Sequence, residues 1–199
     1  MNTSKTNNTR KLVLAAILTA LVIVLQLMGS FIKFGPFSIS LVLVPIIIGA
    51  ATCGVKIGAW LGFIFGTVVL AMGYAGGDAA AFLAINHFGT YVTVLLKGIL
   101  CGYVAGLIYK LFERKNKYVA VICSAIACPI VNTGIFILGC FVFFLPTISN
   151  WADANGFGTN VVKYIAFAMV GGNFIFEFIT NIFLSPIIVR LLNIRKKSL

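Results

Sequence analysis

The segment FGTYVTVLLKGILCGYVAGLIYKLF (Phe88–Phe112) is largely apolar but carries Lys110 near its end and a second lysine near its middle. Lys97 lies nine residues in from Phe88, so at the helical rise it sits roughly 13 Å below that end, close to the centre of a bilayer core of about 30 Å. A lysine at that depth costs roughly 2.5–3.5 kcal/mol on insertion scales, and such residues face a cavity or a partner rather than lipid. Lys97 therefore calls for a counter-charge. The chain has four acids (Asp78, Glu113, Asp153 and Glu177). Of these, Glu177 alone falls well inside another apolar segment, 16 residues from Val161 and 13 from Arg190. Lys97 and Glu177 together mark a polar spot at mid-membrane, and the rest of the chain reads as its scaffold.

The composition agrees with that reading. Of the 199 residues 61% are hydrophobic and 10% charged, and the mean hydropathy is +1.10; no small soluble core buries so much apolar surface. The chain reads as an all-α integral membrane protein whose environment is the lipid bilayer. Its net charge of +11 does not point to nucleic acid, because the basic residues collect between and beyond the apolar segments, as topogenic signals do. Cys53, Cys101, Cys123, Cys128 and Cys140 show neither C-x-x-C nor Cys/His ligand spacing. They read as small buried hydrophobes, with no metal, cofactor or disulfide framework implied. Residues 1–11 precede the first apolar stretch without a cleavage pattern and read as a retained cytoplasmic tail.

Apolar windows fall at about 12–28, 37–52, 57–72, 89–112, 119–145 and 161–192. They predict six transmembrane helices in one compact bundle spanning the chain. The second and third windows are short, only Cys53-Gly54-Val55-Lys56 joins them, and Pro45 is expected to kink the second. With both termini cytoplasmic, 12 of the 15 basic residues lie inside, leaving Lys33 and Lys163 outside and Lys97 in the membrane. The outer connections 73–88 and 146–160 are then long and rich in Gly, Ala, Asn and aromatics. They read either as a lid over an outward-facing site or as plain connectors.

Two spacing patterns predict helix contacts. Gly58, Gly62 and Gly66 stand four apart, as do Gly98, Gly102 and Gly106, giving two smooth stripes for close backbone approach, within the bundle or against another subunit. Polar residues also align: Asn173, Glu177, Asn181 and Ser185; Thr90, Thr93 and Lys97; Ser124, Cys128 and Asn132. The candidate binding residues are Lys97, Asn132, Asn173 and Glu177, with Asn86, His87, Tyr91 and Trp151 added from the outer end, where the long connections also bring Asp78 and Tyr74. The alternative is a buried Lys97–Glu177 pair that only fixes helix packing, with the asparagines as interhelical glue. No phosphate loop, H-E-x-x-H, G-x-S-x-G or acidic cluster is present, so the chain shows no apparatus for ATP use or hydrolysis and reads as no enzyme.

Six short spans, the Ala16-x-x-x-Ala20 pair in LAAILTAL (Leu14–Leu21) and the hairpin GAATCGVKIGAWLGF (Gly49–Phe63) resemble the S component of an energy-coupling factor (ECF) vitamin transporter. The resemblance spans nearly the whole chain. It implies a vitamin-capturing subunit of the bacterial plasma membrane that reorients in the bilayer to release its cargo. It further implies that the Ala16 and Ala20 face docks on a membrane coupling subunit driven by two cytoplasmic ATPase subunits, which accounts for the missing phosphate loop. VNTGIF (Val131–Phe136) resembles members that handle pantothenate, a small anion suited to an ammonium, carboxylate and amides. Riboflavin or folate would draw more on stacking surface such as Trp151, Phe88, Tyr91 and Phe136. A structural or regulatory protein without a ligand, and a small secondary transporter with broken helices at Pro45 and Pro186, are the readings outside this family.

Overall fold

The computed structural model describes residues 3–197 except 32, 35–36 and 39–40, with side-chain surroundings for 8–31 and 41–190. Met1 and Asn2 of the expected tail and residues 39 and 40 of the second window lie outside the described residues. The rest of the tail continues the first helix, α1 (Thr3–Gly29), of which Asn8–Gly29 is long and apolar enough to cross a membrane. Lipid offers no hydrogen-bond partners, so a spanning segment must pair its own backbone, and helix is the solution each apolar window adopts.

The second window departs from expectation. A two-residue antiparallel ladder, β1 (Lys33–Phe34) with β2 (Phe37–Ser38), precedes α2 (Leu43–Cys53), which has 11 residues. At about 16 Å, α2 covers only half of a bilayer core. Pro45 is its third residue, in the first turn rather than mid-helix, where a proline lacks only an N–H that has no intrahelical acceptor and so has no helix bond to break. Prolines do lie inside two later helices, Pro129 and Pro186. One residue, Gly54, separates α2 from α3 (Val55–Tyr74); its φ of +101° is open to glycine and strained for other residues, so the hairpin turns in the least possible length. With 20 residues α3 is a full-length span.

The long connections 73–88 and 146–160 are built rather than slack. The first contains α4 (Ala80–Ile85), with Phe82 and Leu83 buried, and the second contains α7 (Leu145–Ala154), with Ile148 and Ala152 buried. Between them run α5 (His87–Phe112) and α6 (Lys117–Phe143). The last span starts as α8 (Val161–Lys163), widens into a π-helix over Tyr164–Gly171 and continues as α9 (Gly172–Lys197). Among the described residues, five spans are long and apolar enough to cross, and α2 is a shorter apolar helix.

The two glycine stripes meet each other. α3 packs on α5 along them, and a Cβ at Gly58 would lie 2.6 Å from the Gly102 carbonyl oxygen, while one at Gly66 would lie 2.8 Å from that of Val94. At Gly62 and Gly98 it would overlap the facing backbone outright. The stripes therefore serve the bundle and not an outside partner. An apolar core formed by Leu18, Ile46, Leu61, Ala105, Val121 and Ile188 fills the end near Arg10, Lys56, Lys110 and Lys117, here called the basic end. The opposite, loop end carries a second, aromatic cluster around Phe82, Phe144 and Ile148.

Candidate functional site

Between the apolar core and the aromatic cluster lies a cavity of about 70 Å³, measured as space open to the centres of water molecules. One water needs roughly 10–15 Å³ on that measure, so the space takes several waters or a small polar molecule. Four of the expected residues line it: Lys97 from α5, Asn132 from α6, and Asn173 and Glu177 from α9. The period of each helix explains the convergence, since its polar stripe is the face that lipid penalises and the bundle must cover. The π-helical stretch stands immediately before Asn173. Its wider turn shifts the register of everything beyond it, and Val170, Asn173 and Glu177 all reach the cavity.

Lys97 is caged by aromatic faces. Its Nζ lies 5.6 Å from the Phe65 ring centre and 5.5 Å from that of Phe136, so ring quadrupoles rather than lipid tails meet the charge. The carboxylates of Glu177 and Asp78 line the same cavity and attract the ammonium. Glu177 is only 3% exposed. Above them, Phe82 of α4 meets Phe136, Phe144 and Trp151 edge-on, with ring centres 5.6, 5.0 and 6.0 Å away, and closes the loop end.

The hydrogen-bond inventory shows what the cavity lacks. Among the described residues, the buried side-chain oxygens without a partner are Gln26 Oε1, Thr93 Oγ1, Asn132 Oδ1 and Asn173 Oδ1, and all four residues line this one cavity. A buried polar group left unpaired costs about 1–3 kcal/mol, so four in one place describe a surface made for something polar to fill.

The stripes are divided in their use. Toward the basic end, Ser124 Oγ lies 2.9 Å from the Ala105 carbonyl and 2.8 Å from that of Ala120, and Ser185 Oγ donates to the Asn181 carbonyl at 2.8 Å. Ser124 thereby ties α6 to α5, the Ser185 bond stays within α9, and neither serine nor Asn181 lines the cavity. Thr90 lines it, but its hydroxyl donates to the Asn86 carbonyl at 2.8 Å.

Asn86, His87, Tyr91 and Trp151 also do not line the cavity. Asn86 caps α5, its Oδ1 accepting from the Gly89 N–H at 2.9 Å. Tyr91 shares a 2.8 Å hydroxyl contact with Tyr74, whose ring lies 6.5 Å from the His87 ring on the exposed rim. Trp151 backs Phe82 from behind. Asp78, expected near the site from the connection 73–88, does line the cavity, and Gln26 and the Phe65 ring enter as well. Gln26 had a signal, being the one amide in the first apolar window; Phe136 is among the expected stacking rings, whereas Phe65, one of 18 phenylalanines, had none.

Family comparison matches residues 10–192 to a model described as ECF transporter, substrate-specific component. The chain belongs to that family. Neither the curated proteins nor the solved structures contain a match. This substrate-specific component is a multi-pass membrane subunit of an ECF importer, works with membrane and ATPase components, and belongs to a family of transporter subunits rather than enzymes. Membership sets aside the ligand-free and secondary-transporter readings.

Proposed function

We propose that the chain captures a pantothenate-type substrate with high affinity: a small anion with an amide and hydroxyl groups. The observation that carries this reading is the convergence of four unpartnered buried oxygens on a cavity that also holds an ammonium and two carboxylates. Lys97 receives the substrate carboxylate, Asn132 and Asn173 exchange hydrogen bonds with the amide, and Glu177 and Asp78 accept from hydroxyls. The aromatic roof favours a second reading, a flat-ring vitamin such as riboflavin or folate stacked under Phe82 and Phe136. A thermal-shift titration of the purified protein separates them. A ligand at 100 times its Kd adds about 2.7 kcal/mol, or roughly 5–10 °C for a domain of this size. Pantothenate should produce that shift; a shift with riboflavin or folate alone selects the second reading, and no shift with any of the three overturns both.

In this reading the basic end faces the cytoplasm with both termini, α2 counts as the sixth, short crossing, and the loop end faces outward. Ala16 and Ala20 are both exposed on α1, as required of a face that docks on a coupling subunit moved by two ATPases. Replacing either with Trp should abolish uptake into cells while the calorimetric affinity of the isolated protein stays unchanged, since only the partner contact is blocked. Equal loss of uptake and binding would refute the docking assignment.

A further inference from the structure

A second cavity, of about 180 Å³ on the same measure, lies toward the loop end beside the first. Among the described residues its walls are the two residues after α1 (Ser30, Phe31), the end of α3 (Met72) and the turn that follows (Gly76, Gly77). Gln26, Val69 and Asp78 line both cavities. We propose that Gln26 and Asp78 form an inner threshold, and that substrate enters the Lys97 cavity from this vestibule, between α1 and the turn 75–78.

Among the described residues the other walls are closed. The roof would require Phe82 to part from Phe136, Phe144 and Trp151, and α3 meets α5 backbone to backbone at the glycine seam. The turn itself is tied down by Gly77 N–H to the Met72 carbonyl at 2.8 Å and Ala80 N–H to the Gly77 carbonyl at 2.9 Å. Gln26 differs. It is 5% exposed, and its Oε1 has no partner. Its three-torsion side chain swings at little cost because no hydrogen bond of that oxygen has to break. Amide and carboxylate together offer a polar solute donors and acceptors while it sheds water, with Val69 as the apolar floor. Gln26 is thus a selecting residue on the first helix, passed before Lys97 is reached.

The inference rests on reading the Lys97 cavity as the binding site, but its test needs no knowledge of the ligand. In a Thr93→Cys background, the purified full chain is treated with 2-sulfonatoethyl methanethiosulfonate, and labelling of the peptide carrying residue 93 is followed by mass spectrometry. Adding Gln26→Trp should slow labelling about tenfold, the rate change of a barrier raised by about 1.4 kcal/mol, and adding Gln26→Ala should accelerate it severalfold. Labelling of the native Cys123, partly buried near the basic end, should not change in either variant. If the Trp variant fails to fold, the alanine variant decides alone. An unchanged rate at residue 93, a change of opposite sign, or a parallel change at Cys123 overturns the threshold. Failure of pantothenate in the thermal-shift titration leaves this result standing, so the two readings fail separately.

Discussion

Lys97→Ala should weaken substrate binding by roughly 30-fold to several-thousand-fold, the equivalent of about 2–5 kcal/mol for removing one partner of a buried charge pair. The cage explains why binding should suffer more than folding. The Phe65 and Phe136 faces contribute about 0.5–2 kcal/mol through the ammonium, and alanine gives that up while relieving the chain of a buried cation. If instead Lys97 and Glu177 only hold each other in the fold, Lys97→Met and Glu177→Gln should each lower thermal stability strongly, and the double replacement should restore it. Calorimetric titration and thermal denaturation of the two singles and the double decide the matter. A stable double variant that binds with wild-type affinity removes Lys97 and Glu177 from the site.

Gly62→Leu and Gly98→Leu should prevent α3 and α5 from closing. At both positions even a Cβ overlaps the facing carbonyl, and a backbone atom cannot rotate away as a side chain does. Overpacking in a close-packed interior costs about 1–3 kcal/mol when side chains can yield, so a loss above about 3 kcal/mol is expected here. Thermal denaturation followed by size exclusion should show most of the protein aggregated under conditions that leave the wild type intact. Gly134→Ala is the control: nothing lies within 4 Å of a Cβ built there, and the change should be neutral or stabilising by up to about 1 kcal/mol. A Gly62→Leu protein as stable as the Gly134→Ala one would show that the glycine seam does not set the helix spacing.

Several features were legible before any coordinates because they depend only on local chemistry. An apolar window of sufficient length becomes a helix whatever surrounds it, since lipid leaves the backbone no other partner. The inward face of α5, α6 and α9 could be read from period alone, and Lys97, Asn132, Asn173 and Glu177 do line one cavity. The second window misled because hydropathy counts apolar residues without seeing where Phe37–Ser38 leave the helix for a two-residue ladder. Asn86 and Tyr91 lie off this cavity, and a polar residue that caps a helix and one that lines a cavity look alike in sequence.

The sequence by itself determined the membrane setting, the helical architecture, the two charged residues inside apolar segments and the glycine spacing, because each follows from composition or from a period along one chain segment. Tertiary structure alone decided which stripe faces which. It set the two glycine rows against each other, enclosed Lys97 between Phe65 and Phe136, and brought Gln26 of α1 beside Asp78 across about 50 residues of chain. It also introduced the π-helical turn ahead of Asn173. The physical reason is that a helical period gives the angle of a residue about its own axis, whereas the neighbour at that angle depends on how helices cross and how deeply each is set.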